Sequence, residues 1–145
     1  RIIKGCNKLQ GQYTSGTCSV SQKAAEAAYT TDQTCVEDMR KAFERRRDLI
    51  VTLAKDIKGL EVNVPEGAFY LFPKCSSFYG KSDGTHTINN STDFALYLLE
   101  VAHVATVGGD AFGDPDCFRM SYATSDDNII EAMKRIKVAT EKLKF

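Results

Sequence analysis

The sequence has no tryptophan, only two histidines and three prolines, and no net charge at pH 7. Nineteen basic and nineteen acidic residues cancel, so no excess charge favours binding to nucleic acid or to an anionic membrane surface. The basic cluster at 45–47 lies in a helical pattern that also carries acidic residues on either side of it, which indicates a solvated helix face. No apolar run approaches the length of a membrane span, and no signal peptide is visible. We therefore expect neither a nucleic-acid partner nor a membrane partner.

The five cysteines are widely spaced and include no C-x-x-C pair. Their odd number and their spacing fit neither a zinc site nor a disulfide framework, so we expect reduced thiols, no metal and a cytoplasmic location. Nothing in the sequence favours a cysteine–histidine nucleophile pair. Hydrophobic residues make up 43% of the chain and charged residues 26%, which is typical of a globular domain.

Hydrophobic periodicity predicts a layered α/β unit. Helices are expected over 1–10 and through 23–28, followed by a long helix that a capping-box pattern begins at Thr34. That helix should end at Gly59 after about 36 Å. Residues 60–64 and 68–72 predict a hairpin, Ser91 a helix start, 104–107 a short strand and Ser125 the start of the last helix.

Arg119 lies in an alternating strand, 118–122, that follows the glycine-rich turn 108–113. Because side chains alternate along a strand, Arg119 and Ser121 face away from the core that the apolar residues of this strand join. A guanidinium on rigid backbone is a good receptor for a planar carboxylate, since its fork forms two parallel hydrogen bonds. The alternative is an arginine on the solvated face of a sheet, and the spacing alone does not decide between the two.

Four segments carry a resemblance to a known family. They are Tyr-Thr-Ser-Gly-x-x-Ser-Val-Ser-Gln at 13–22, Pro-Glu-Gly-Ala-Phe-Tyr-Leu-Phe-Pro at 65–73, Val-Ala-Thr-Val-Gly-Gly-Asp-Ala-Phe-Gly at 104–113 and Phe-Arg-Met-Ser-Tyr-Ala at 118–123. Together they resemble the C-terminal portion of class I pyridoxal-phosphate (PLP) aminotransferases, particularly the bacterial aspartate aminotransferase subgroup. The resemblance covers the whole chain.

This resemblance implies the fold-type I architecture, in which a long helix joins a large cofactor domain to a small domain. Residues 1–33 would then be a helical remnant of the large domain, 34–58 the interdomain helix and 59–145 the small C-terminal α/β domain. The resemblance also implies that the intact enzyme is a homodimer.

The resemblance also implies roles for three residues. Arg119 matches the arginine that binds the substrate α-carboxylate, and Phe69 matches an aromatic residue on the substrate side of the pocket. Ser15 lies in a turn that approaches the active site of the partner subunit, so it is expected to contact substrate across the dimer. The chain departs from the family at Gly16, where asparagine is more usual, and at Gly108, where proline is usual.

The motifs that hold PLP in this family are absent from the chain. No lysine follows a serine, and no Gly-x-Arg, Asp-x-x-Tyr or Asn-Pro segment occurs. We therefore expect no catalytic and no cofactor-binding residue here, and no transamination by this chain alone, because the chemistry requires the Schiff-base lysine. The intact parent would transfer an amino group between an amino acid, aspartate or a similar one, and a 2-oxo acid. Arg1 begins the chain inside a helical pattern, which indicates a fragment.

Two other interpretations remain open at this point. The chain could be a free-standing amino-acid-binding or regulatory module, with Arg119 as its carboxylate receptor, or an interaction piece that docks through its long helix. We also expect apolar residues of that helix, such as Val36, Phe43 and Ile50, to be exposed and to favour self-association.

Overall fold

A three-stranded antiparallel sheet and five α-helices form the part of the chain that the computed structural model describes, residues 1–14 and 16–145. In chain order the elements are α1 (Ile2–Tyr13), α2 (Ser19–Thr30), α3 (Thr34–Lys55), β1 (Tyr70–Leu71), α4 (Ser91–Ala102), β2 (Val107–Gly108), β3 (Phe118–Ser121) and α5 (Asp126–Thr140). Single turns of 3₁₀ helix cover Ser76–Phe78 and Gly109–Phe112. The α/β class predicted from periodicity is confirmed.

The chain divides into two compact units, Arg1–Asp38 and Met39–Phe145, and the division falls within α3. In the first unit, neither α1 nor α2 buries a residue, and their apolar side chains are open to solvent. The second unit holds the hydrophobic core.

Strand β3 is the centre of the sheet, with β1 on one side and β2 on the other. Leu71 of β1 lies opposite Met120, and Gly108 of β2 lies opposite Phe118. Phe118 is fully buried and packs edge-on against Phe94 of α4, with ring centres 5.0 Å apart. Helices α3, α4 and α5 all add apolar residues to the same cluster, so one face of the sheet is covered.

The predicted hairpin over 60–72 is wrong. Residues 60–64 form no strand, and Glu61 makes only a single bridge to Lys74, whereas β1 pairs with β3. Pro65 lacks the N–H donor with which a regular ladder would continue from the Glu61–Lys74 bridge towards β1. The strand with which residues 68–72 pair is therefore the distant one that carries Arg119.

Two predicted helix boundaries differ from those in the structure. Helix α3 ends at Lys55 rather than Lys58, although Gly59 does adopt a left-handed conformation with φ of 100°. Helix α4 is capped by Asn90, whose side chain accepts from Asp93 N, and not by Ser91. Ser91 is fully buried instead, and its hydroxyl accepts a hydrogen bond from the Gly109 N–H at 3.1 Å. The predicted cap at Ser125 is observed.

Several apolar residues of α3 that were expected to be exposed are not. Ile50 is buried and Phe43 packs against the core as a partly buried residue, whereas Val36 and Met39 are exposed. Within α3, the exposed apolar side chains therefore lie towards its start.

Candidate functional site

Arg119 projects from the centre of β3 on the face opposite the core. Its neighbours on β3, Phe118 and Met120, are buried, while Arg119 itself is only partly exposed. Val107 of β2 lies directly across from Arg119, and Tyr70 of β1 lies across from Ser121. Because directly paired residues share a face, Tyr70 and Val107 flank Arg119 on that face.

Two aromatic rings contact the Arg119 guanidinium. Its carbon Cζ lies 4.3 Å from the ring centre of Tyr70 and 4.0 Å from the ring centre of Phe112. Phe112 belongs to the 3₁₀ turn that follows β2, and Phe72 meets it edge-on at 6.1 Å. Cations over ring faces at these distances are stabilised by the ring quadrupole.

No carboxylate of residues 1–14 or 16–145 forms an ion pair with Arg119, and no protein acceptor takes a hydrogen bond from its guanidinium. Other arginines of the chain are engaged in this way, for example Arg45 and Arg46 with Asp126. The N–H donors of Arg119 are thus free for an external acceptor, and a carboxylate matches their geometry.

Phe69 lies on the other side of Tyr70, with ring centres 4.6 Å apart, and 6.0 Å from Phe43 of α3. It is 40% exposed and lines a cavity of about 450 Å³ together with Phe43 and Tyr122. Arg119 is not among the residues that line this cavity. Among the described residues, Tyr70 is therefore the link that brings the predicted residues Phe69 and Arg119 together.

The bend before Phe69 depends on a strained residue. Ala68 has a φ of 61°, which non-glycine residues rarely adopt. Tyr122 holds this bend with two hydrogen bonds, from its hydroxyl to Ala68 O at 3.0 Å and from its N–H to Phe69 O at 2.9 Å. Burial raises the pKa of the Tyr122 phenol, which keeps it a neutral donor at physiological pH.

The buried cysteines lack the properties of nucleophiles. Burial raises the pKa of Cys75 to about 11 and that of Cys117 to about 12, so both thiols stay protonated at neutral pH. Cys117 Sγ donates to Asp114, and Cys75 Sγ lies near Tyr79 and Asp116 O. All five cysteines are free thiols.

A family model described as aminotransferase class I and II matches residues 1–136. The chain belongs to this family. Among curated relatives, the bifunctional aspartate aminotransferase and glutamate/aspartate-prephenate aminotransferase of Petunia hybrida is 47% identical over 148 residues, covering 99% of this chain and 31% of the relative. An aspartate aminotransferase of Rhizobium meliloti (strain 1021) is 45% identical, covering 98% of this chain and 35% of its own length.

Solved aminotransferase structures agree with the fold. The crystal structure of aspartate aminotransferase from Rhizobium meliloti has a TM-score of 0.89 at 44% identity, with 98% of this chain and 36% of that chain covered. A tetra mutant of the Thermus thermophilus enzyme has a TM-score of 0.79 at 32% identity, with 95% and 36% covered. The chain thus has part of the fold-type I aminotransferase fold and spans about a third of the length of these relatives, as the motif resemblance predicted.

The aminotransferase family implies PLP, and the residues around Arg119 do not by themselves fit it. PLP needs a lysine amine for its Schiff base. The described residues that contact or directly flank Arg119 are Tyr70, Val107 and Phe112, and none of them carries an amine. These neighbours of Arg119 therefore supply no group that would form the Schiff base with PLP.

Sequence reasoning proposed Arg119 and Phe69 as site residues, and it did not predict their contacts with Tyr70 or the contact of Phe112 with Arg119. The third predicted site residue, Ser15, lies outside the described residues.

Among the described residues, no cluster of side chains is suited to holding a metal ion, and no helix is both long and apolar enough to cross a membrane.

Proposed function

We propose that this chain is the C-terminal part of a PLP-dependent aminotransferase, in which Arg119 binds the α-carboxylate of both substrates. The observation that carries the proposal is the guanidinium of Arg119, which is held on the central strand with no carboxylate partner among the described residues. An amino acid and a 2-oxo acid share this carboxylate, so one receptor serves both half-reactions. Bidentate pairing gives such a receptor orientation as well as affinity.

The substrates we propose are aspartate, or a similar amino acid, and a 2-oxo acid. The relatives from Petunia hybrida and Rhizobium meliloti, both named as aspartate aminotransferases, support this choice. Phe69 would line the substrate side of the pocket, which its ring contact with Tyr70, a neighbour of Arg119, supports. Ser15 would contact substrate across a homodimer.

In the intact enzyme, residues 1–33 would belong to the large cofactor domain, 34–58 to the interdomain helix and 59–145 to the small domain. The lysine that forms the Schiff base and the groups that grip the cofactor phosphate would come from outside this chain. We therefore infer that the chain alone binds part of a substrate without transaminating it. The enzyme would act in the cytoplasm, for which the free thiols are supporting evidence.

Replacing Arg119 with lysine in the intact enzyme tests the proposal. We expect kcat/KM to fall about ten-fold or more for both the amino acid and the oxo acid, because a point charge does not reproduce a bidentate clamp. A ten-fold fall corresponds to a loss of about 1.4 kcal/mol of transition-state stabilisation. Steady-state kinetics with each substrate would measure the fall.

Arg135→Lys is the matched control. Arg135 lies on α5, is paired with Glu131 and is exposed, so the same chemical change there should leave kcat/KM within about two-fold of the wild type. Unchanged kinetics in the Arg119→Lys enzyme would remove Arg119 from the site.

A further inference from the structure

The two rings that contact Arg119 come from opposite sides of its strand. Tyr70 is on β1, which borders one edge of β3, and Phe112 is in the turn after β2, which borders the other edge. The guanidinium carbon lies within 4.3 Å of both ring centres. The cation is thus in contact with two rings that different segments of the chain supply.

Contacts with ring faces leave the hydrogen-bonding capacity of a guanidinium intact. Its five N–H groups point outwards in the plane of the group, whereas the rings act on the charge through their π faces. A carboxylate partner would occupy those donors, but two rings do not. The two ring contacts therefore restrain Arg119 without competing with an anionic ligand.

The turn that carries Phe112 is itself anchored. Gly109 is buried, and its N–H donates to the buried hydroxyl of Ser91 at the start of α4. Phe72 braces Phe112 with an edge-on contact at 90°. Phe112 remains 43% exposed, so its ring contributes little to the core although its position is fixed.

We propose that Tyr70 and Phe112 are positioning residues that fix the plane of the Arg119 guanidinium before a substrate carboxylate arrives. The inference rests on the proposed function of Arg119. A long, flexible side chain held in its binding geometry loses less conformational entropy on binding, which increases affinity. The two rings thereby set the affinity for every ligand that carries the α-carboxylate, without touching the ligand's reacting atoms.

The test uses the intact enzyme with Phe112→Leu and Tyr70→Leu, and with Phe112→Tyr and Tyr70→Phe as ring-keeping controls. The substrates are L-aspartate and β-alanine, which is aspartate without its α-carboxylate. We expect the leucine variants to raise KM for L-aspartate about ten-fold, with a smaller effect on kcat, and to leave kcat/KM for β-alanine unchanged. The ring-keeping variants should retain the wild-type KM.

A second readout does not depend on activity. In ¹⁵N-arginine-labelled enzyme, ring currents should shift the Nε proton of Arg119 upfield, and Arg119→Lys identifies its signal by removing it. Each leucine variant should move that signal downfield, and each ring-keeping variant should not. A variant that failed to fold would be recognised by the loss of dispersion of the other arginine signals, and its partner variant would then carry the test.

The outcomes separate this proposal from the proposed function. If Arg119→Lys weakens L-aspartate selectively and the leucine variants do not, the positioning role is overturned while the carboxylate role stands. If the leucine variants impair both substrates equally, the rings are merely structural and the inference is overturned. If Arg119→Lys affects neither substrate, the proposed function itself fails.

Discussion

At the scale of single residues, charged side chains differ in whether a partner already engages them. Arg45 and Arg46 of α3 both bind Asp126 at the start of α5, which ties these two helices together. The basic cluster interpreted from sequence as a solvated face thus includes cross-links within the second unit. Arg119 lacks such a partner among the described residues, and this contrast supports the carboxylate-binding role proposed for it.

His86 illustrates the opposite case, since two carboxylates hold it. Its Nδ1 lies 3.2 Å from Asp83 Oδ2 and its Nε2 lies 3.1 Å from Glu100 Oε2 of α4. Hydrogen bonding to Asp83 and then to Glu100 raises the pKa of His86. Asp83 also accepts the N–H groups of Thr85 and His86, and its own pKa is lowered to about 2, first by these backbone bonds.

We predict that the loop carrying His86 is most stable at mildly acidic pH, where Asp83 is charged and His86 is protonated. A raised histidine pKa means that the stabilisation is fully present below the unfolded-state pKa, about 6.5, and is lost as the pH rises through the folded-state pKa. Hydrogen exchange of residues 80–90 should therefore show less protection, after correction for intrinsic rates, at pH above that value. An NMR titration of the His86 ring should give a midpoint above 6.5.

Removing each partner of His86 provides the control for this prediction. Asp83→Asn should lower the midpoint more than Glu100→Gln, because Asp83 is 14% exposed whereas Glu100 is 62% exposed and more fully screened by solvent. A midpoint that neither substitution lowers would contradict the assigned contacts.

At the scale of elements, the turn Gly109–Phe112 connects the core to the Arg119 face. A side chain at Gly109 would place its Cβ in steric overlap with the backbone oxygens of Asp114 and Cys117, which cannot move without displacing the chain. We predict that Gly109→Ala in the intact enzyme displaces this turn and, with it, Phe112. KM for both substrates should rise by about ten-fold or more, as measured by steady-state kinetics.

Gly67→Ala is the matched control, because a Cβ at Gly67 would meet no atom within 4 Å. It belongs to the loop before β1, so it tests whether any added methyl group near the sheet has the same effect. Equal losses in the two variants would contradict a specific role for the Gly109 turn.

The elements that sequence patterns predicted well are those with local signals. Ser125 followed by an acidic turn marked the start of α5, and the alternation around Arg119 marked β3. Strand pairing is not local, and a proline-containing turn at 65–67 suggested a hairpin that does not form. The true partner of residues 70–71 lies about fifty residues further along the chain.

The same limit explains which site residues were found. Arg119 and Phe69 follow from motif resemblance, and alternation alone places Arg119 away from the core. Tyr70 and Phe112 become neighbours of Arg119 only once β1 and β2 are known to flank β3. No residue pattern within either segment encodes that order, so the two ring contacts of Arg119 could not be predicted without the tertiary structure.

At the scale of the whole molecule, the two units differ in how much surface they bury. Helices α1 and α2 each have 12 residues and bury none of them, whereas α4, also of 12 residues, buries six. Isolated helices of this length are marginal in water, because most helical stability in proteins comes from packing of an apolar face. The large cofactor domain proposed for the intact enzyme would cover α1 and α2.

We therefore predict that, in the isolated 145-residue chain, α1 and α2 exchange their amide hydrogens with little protection while α4 and α5 are protected. Hydrogen exchange followed by mass spectrometry would measure this, and α4 is the control because it matches α1 and α2 in length. In the intact enzyme the same two helices should become protected. Protection of α1 and α2 equal to that of α4 in the isolated chain would contradict the prediction. If that protection grew with protein concentration, self-association through the exposed apolar side chains would be its cause.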